Sequence, residues 1–262
     1  MTMTDNESDT APRKIAFPSI ASLFIGMYFQ GHSLSSGTGF VVSTQKGPHL
    51  ITNRHNVTGR DQDTGAPLSN TAGIPDEIRI LHNKKDYVAR RWVVRAEPLF
   101  DGQTPRWTEH PTLGPAADLI ALPLTNLDGV ELLPYDLKSE SPIHEIHPAD
   151  AVSVIGFPFA MGSDGALAIW ATGFLASDPD TNCFGKPIQL IDCRSRPGQS
   201  GSPVIAYRGG GVTRPMDDAD GYWMFKGPVI KFIGIYSGRI NPESDIGIVW
   251  KALAIQELIN SL

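Results

Sequence analysis

Short apolar runs alternate with turns along most of the chain, and helical periodicity is nearly absent before the C-terminus. The runs Ala21–Phe29, Gly39–Ser43, Leu50–Asn53, Ile78–His82 and Tyr87–Val94 predict strands, and Leu119–Leu122 follows a Pro- and Gly-rich loop at 97–116. A polar connector, roughly Leu132 to Ala149, separates these from a second series. That series is Val152–Phe157, Ala168–Leu175, Pro187–Cys193, Pro203–Ala206, Val229–Tyr236 and Ile246–Trp250. Strands at this spacing argue for barrels or a sandwich, and the division into six and then six suggests two similar barrels. From Trp250 to Leu262 the period changes. Leu253, Ile255, Leu258, Ile259 and Leu262 share one helical face, which predicts a helix over 250–262 packed on the second barrel. The expected organisation is a flexible, polar segment at 1–14, a first β-barrel at 15–135 and a second at 136–262.

Composition sharpens this picture. With 262 residues the chain can bury one large core or two small ones. The counts of Gly (26) and Pro (21) favour a turn-rich β architecture over a helical bundle. A net charge of −6 leaves no electrostatic footprint for nucleic acid. The basic cluster Lys84, Lys85, Arg90, Arg91 and Arg95 alternates with apolar residues and reads as the solvated face of a strand. Two cysteines, Cys183 and Cys193, read as free thiols and point to a reducing compartment, so a cytoplasmic location is expected. Ile15–Phe29 is apolar enough to imitate a signal peptide, but it contains Pro18, lacks a small-residue cleavage site and runs straight into the next strand. It reads as the first barrel strand, and no other stretch approaches a membrane span.

The chemistry centres on Arg196 to Val204, where Ser200 stands between glycines. Gly198 and Gly201 allow a sharp turn that presents the Ser200 hydroxyl and aims the N–H groups of Gly198 and Ser200 at one point, where a developing oxyanion would sit. Such a nucleophile needs a base and a carboxylate. Leu50 to Val57 places His55 just past an apolar strand, and Ala117 to Pro123 places Asp118 at the mouth of another. The order is His55, Asp118, Ser200. An α/β-hydrolase would run Ser, Asp, His, and all 7 histidines precede Ser200, so that alternative cannot be assembled. Trp107 to His110 precedes Asp118 and reads as an ordinary loop, although Glu109 or His110 can support the site from behind. His144 to His147 lacks the zinc-binding spacing, and Asp217 to Gly221 lacks the first and last ligands of a calcium loop.

These segments resemble trypsin-like serine peptidases of the bacterial type, nearer the glutamyl-endopeptidase and Htr branches. The similarity runs over about residues 20 to 255. It rests on the loop around Ser200, on Ser36 to Phe40 before the base, on Val154 to Pro158 and on Gly234 to Gly238. The resemblance implies an all-β double barrel of the chymotrypsin type, two six-stranded antiparallel barrels with a C-terminal helix. It places the active site in the cleft between them and needs no cofactor and no metal. It also implies that Tyr236, Ser237 and Gly238 lie on the strand lining the substrate pocket, with Arg194 and Ser195 at its floor. Arg194 pointing inward would favour acidic side chains; turned outward, it leaves a small neutral pocket lined by Ser195, Tyr236 and Ser237. In digestive trypsins an aspartate before the nucleophile pairs with a new N-terminal amine. Here that position is Gln199, so the oxyanion loop is expected to be set by packing and turn hydrogen bonds around Pro197 to Ser202.

The expected function is serine endopeptidase activity on proteins or peptides, with His55, Asp118 and Ser200 as the catalytic residues. The competing reading is a catalytically weak module that binds peptides or regulates. A narrow substrate or an activating protein partner is expected from the compartment; nucleic acid and membrane partners are not.

Overall fold

The computed structural model describes residues 15–137, 145–213, 223–225 and 227–262. The segment 1–14, His144 and the acidic run at 217–221 lie outside the described residues. A one-turn helix, α1 (Phe17–Ala21), leads into strand β1 (Ser22–Phe29), followed by β2 (His32–Thr44), β3 (Gly47–Thr52) and a second short helix, α2 (Arg54–Thr58). The first unit continues with β4 (Glu77–Lys84), β5 (Trp92–Pro98), β6 (Thr108–Glu109), β7 (Ile120–Pro123) and β8 (Val130–Glu131). These form one eight-stranded sheet in the order β8-β4-β1-β2-β3-β7-β6, with β5 on β4. The second unit is a closed barrel of β9 (Ala151–Gly156), β10 (Ile169–Leu175), β11 (Ile188–Asp192), β12 (Pro203–Arg208), β13 (Val229–Arg239) and β14 (Ile246–Lys251). Helix α3 (Ala252–Asn260) ends the chain. The protein is thus mostly β, with the chymotrypsin-like pairing of a closed six-stranded barrel and a second β unit.

The sequence pattern accounts for most of this. In β1 the alternate residues Leu23, Ile25 and Met27 point into one core with Val41, Leu50, Ile78 and Ile120, as a period of two requires. A second core fills the closed barrel with Val152, Val154, Val204, Ile191 and Val249. A third joins the two units. There Phe40, Tyr135 and Phe232 meet with ring centroids 5.3 to 5.6 Å apart, and Ile255 and Leu258 of α3 close over Trp250. Each fully buried side chain of this size contributes roughly 1.5–3 kcal/mol.

Three expectations are corrected. The strand expected at Tyr87–Val94 begins only at Trp92, because Asp86 and Ala89 take positive φ and Asn83 Oδ1 accepts from the Ala89 N–H, closing a turn over 85–91. Trp250 ends β14 instead of opening the helix, and the helix starts at Ala252. On that helix Leu253 is exposed and Ala254 takes the buried place. Cys183 and Cys193 are both free thiols. Among the described residues no helix is long and apolar enough to cross a membrane.

Candidate active site

A cleft of about 620 Å³ lies between the two units and is lined by His55, Asp118 and Ser200 together. Residues far apart in the chain are brought there by three different elements. His55 sits on α2, immediately after β3, and Gly59 in the left-handed conformation stops that helix after one turn. Asp118 precedes β7 and is buried between Ala117 and Leu119. The two segments are tied by Asn53, whose Nδ2 donates to the Asp118 carbonyl at 2.7 Å.

The Asp118 carboxylate receives three donors. Its Oδ1 accepts the backbone N–H of His55 at 3.0 Å, and its Oδ2 accepts His55 Nδ1–H at 2.7 Å. The Ser237 hydroxyl donates to the same Oδ2. With Nδ1 protonated against the carboxylate, His55 Nε2 is left as an acceptor. Burial opposes charge on both groups, leaving 15% of the His55 side chain and 2% of the Asp118 side chain exposed. For Asp118 the His55 charge and the donated hydrogen bonds outweigh burial and hold the carboxyl below its ordinary pKa. For His55 burial is again the largest single influence. The Asp118 carboxylate and, more weakly, Asp61 overcome it and raise the pKa above 6.5.

Ser200 is held in a loop that the first unit clamps. The Thr38 N–H donates to the Ser200 carbonyl at 2.8 Å and Thr38 Oγ1 to the Gly198 carbonyl at 2.9 Å. The same hydroxyl accepts the Phe157 N–H at 3.2 Å. Gly201 cannot be replaced easily, because a Cβ there would stand 2.0 Å from the Thr38 carbonyl oxygen at a φ of +87°. Gln199 is fully buried and its Oε1 accepts the Arg196 N–H at 2.7 Å. That bond closes the loop from within, with no charge at position 199. The Pro197 carbonyl accepts the Phe159 N–H at 2.7 Å, so the planar trans peptide points the Gly198 N–H the opposite way. Among the described residues neither the Gly198 nor the Ser200 N–H donates a hydrogen bond, and both residues line the cleft. The Ser200 hydroxyl itself donates to the Ser237 carbonyl at 3.4 Å and makes no hydrogen bond to His55.

Thr38 was legible only as part of a Ser-Gly-Thr-Gly-Phe run, with no signal of its role as a clamp. Thr38→Val keeps the shape and removes the hydroxyl, stranding the Gly198 carbonyl and the Phe157 N–H. The expected loss is about 1–3 kcal/mol of stability, read from urea denaturation. An unchanged midpoint would show that the clamp contributes nothing.

The structure treats the expected pocket residues differently. Ser237 and Gly238 line the cleft. A β-bulge accounts for Ser237: Tyr236 pairs with Val249 and Gly238 with Ile248, so the extra residue between them is turned toward Asp118. Arg194 instead points to solvent, its side chain 84% exposed and its Nε 3.8 Å from Asp245. Ser195 and Tyr236 are buried and do not face the cleft, because their hydroxyls bond to one another inside the barrel. Glu109 pairs with Arg54, the neighbour of His55, at 2.9 Å, and buried His110 reaches Glu257 of α3 at 3.1 Å. The loop is thus tied to the helix that carries His55 and to α3.

The trypsin-like peptidase domain matches the chain over residues 37–212. None of the curated proteins matches it. Among solved structures, the serine endoprotease from Yersinia pestis is 14% identical, with 95% of this chain and 68% of that one covered at a TM-score of 0.52. The active form of the Rv3671c protease from M. tuberculosis is 16% identical, with 93% and 81% covered at a TM-score of 0.47. Catalytically active tobacco etch virus protease, complexed with product, is 14% identical, with 95% and 82% covered at a TM-score of 0.46. At such identities the likeness to the Yersinia enzyme speaks to the fold alone.

Proposed function

Because the chain belongs to the trypsin-like peptidase family, we propose that it is a serine endopeptidase acting by acyl transfer through Ser200, His55 and Asp118. Ser200 Oγ attacks the scissile carbonyl while His55 Nε2 takes its proton and later delivers it to the leaving amine. Asp118 holds the imidazole in the tautomer that makes Nε2 the acceptor and stabilises the imidazolium. Ser237 positions that carboxylate through its hydroxyl. The N–H groups of Gly198 and Ser200 receive the oxyanion, a contribution of roughly 2.7–4 kcal/mol per donor in enzymes of this chemistry. The observation that carries this reading is the Asp118 carboxylate bonded to both the ring and the backbone N–H of His55, in one cleft with Ser200.

One observation favours a second reading. The Ser200 hydroxyl donates to the Ser237 carbonyl and makes no hydrogen bond to His55, which suits a peptide-binding module with little turnover. Catalytic hydrogen bonds commonly tighten only around bound substrate, so the first reading survives this geometry. A fluorophosphonate probe separates the two. The wild-type protein is expected to be labelled at Ser200 and the Ser200→Ala protein to remain unlabelled. Wild type that stays unlabelled beside a reacting control peptidase leaves the module reading. Since Gln199 closes the oxyanion loop without an ion pair, labelling of the full chain is expected without any cut. A large gain on cleavage near Arg13 or Lys14 would show that the loop needs activation.

A further inference from the structure

Directly below Ser200 the nucleophile loop and β13 run side by side. The Gly201 N–H donates to the Tyr236 carbonyl at 2.9 Å, and the Tyr236 N–H donates to the Ser202 carbonyl at 2.9 Å. On the peptidase reading, a substrate residue whose carbonyl meets Ser200 lies over the outer edges of these two segments, where they face the cleft. On their outer edges Pro197, Gly198, Ser237, Gly238 and Arg239 face the cleft. Deeper in, the gap between the segments is shut: Ser195 is 0% and Tyr236 3% exposed. Their hydroxyls are hydrogen-bonded to each other across it.

The ring of Tyr236 is held there from below. The bulge that turns Ser237 outward leaves Tyr236 pointing into the barrel, among Ile191, Val204 and Val249. It seats over Gly247, where an added Cβ would stand 2.7 Å from Tyr236 Cε2. Gly247 thus provides the room that the ring fills. Burial pushes the phenol up to about 12, so the hydroxyl stays neutral and available to Ser195. A larger guest would have to expel a close-packed aromatic ring and break a buried hydrogen bond, which a native-density interior resists.

Resting on the peptidase reading, we propose that Tyr236, held by Ser195, occupies the space into which a substrate side chain would otherwise project, and so restricts the residue whose carbonyl is attacked to glycine, alanine or serine. Sequence selection then falls to the flanking residues of the substrate. Arg194 plays no part, since it faces solvent.

The test uses the full chain and peptidyl diphenyl phosphonates that differ only in the residue carrying phosphorus: glycine, alanine, leucine or phenylalanine. Wild type is expected to react with the glycine and alanine probes and at least roughly 100-fold more slowly with leucine and phenylalanine, the scale on which pockets discriminate by size. Tyr236→Val is expected to raise the leucine-to-alanine rate ratio by about tenfold or more, whereas Tyr236→Phe, which keeps the ring, leaves leucine disfavoured. If Tyr236 served the fold alone, its variants would slow every probe equally and leave the ratio unchanged, which overturns the proposal. Wild-type rates with leucine or phenylalanine that match alanine overturn it without any variant, should Tyr236→Val fail to fold. Ser200-dependent fluorophosphonate labelling with no reaction from any peptidyl probe overturns it as well. Absence of that labelling is a different result, the failure of the peptidase reading itself.

Discussion

Ser200→Ala and His55→Ala are each expected to lower kcat/KM on the order of 10⁶-fold, because the nucleophile and its base act as one unit and removing either leaves only oxyanion and binding contributions. The two replacements differ in what they do to the fold. Ser200 keeps its backbone in place after loss of the hydroxyl, since its carbonyl still accepts from Thr38. The alanine protein should therefore melt like the parent. His55→Ala removes a donor from a carboxylate that is 1% exposed, leaving it the His55 backbone N–H and Ser237. A stability loss of about 1–3 kcal/mol is expected in addition to the rate loss. Steady-state rates on a peptide ester, with thermal melts of the same preparations, separate the two effects. Near-parental turnover in a folded Ser200→Ala protein would remove Ser200 from the mechanism.

Asp118→Asn is expected to be milder, roughly 10⁴-fold in kcat, and the structure says why. Both carboxylate oxygens accept N–H groups, Oδ1 from the His55 backbone and Oδ2 from the His55 ring. An amide has only one acceptor oxygen, so its NH₂ must face one of those donors. The backbone N–H cannot change, but the imidazole can move its proton to Nε2. The asparagine oxygen therefore stays on the backbone N–H, the NH₂ faces Nδ1, and Nε2 becomes a donor unable to take the Ser200 proton. The same substitution also moves the pH profile. The base works as the neutral imidazole, and its pKa is raised, with burial opposing and Asp118 prevailing. Parental kcat/KM should therefore rise with pH through a midpoint above 6.5. Without the carboxylate charge burial is opposed only by Asp61, and the midpoint should fall below the parental one. A residual activity in Asp118→Asn with an unmoved midpoint would show that Asp118 does not tune His55.

What the sequence determined by itself was local. Apolar runs of strand length, turn residues between them and a change of period at the C-terminus are properties of neighbouring residues, and they read correctly as β units closed by a helix. The same holds for Gly198 and Gly201 around Ser200, whose positive φ only glycine adopts cheaply. His55, Asp118 and Ser200 stood out because their residue types, order and strand-end settings suited one chemistry. Tertiary structure decided everything that depends on a bond across the chain. The Thr38 clamp on Gly198 joins positions 160 residues apart, and the Ser237 bond to Asp118 joins positions 119 apart. Neither partner carries a mark of the other in its own neighbourhood. The direction of Ser237 and Tyr236 turned on a single bulged residue in β13, since one extra residue exchanges the two faces of a strand. The family resemblance put Tyr236 on the strand lining the substrate pocket and Arg194 at its floor, turned either inward or out to solvent. Pairing with β14 put the tyrosine ring over Gly247, and the arginine lies out in solvent, 3.8 Å from Asp245.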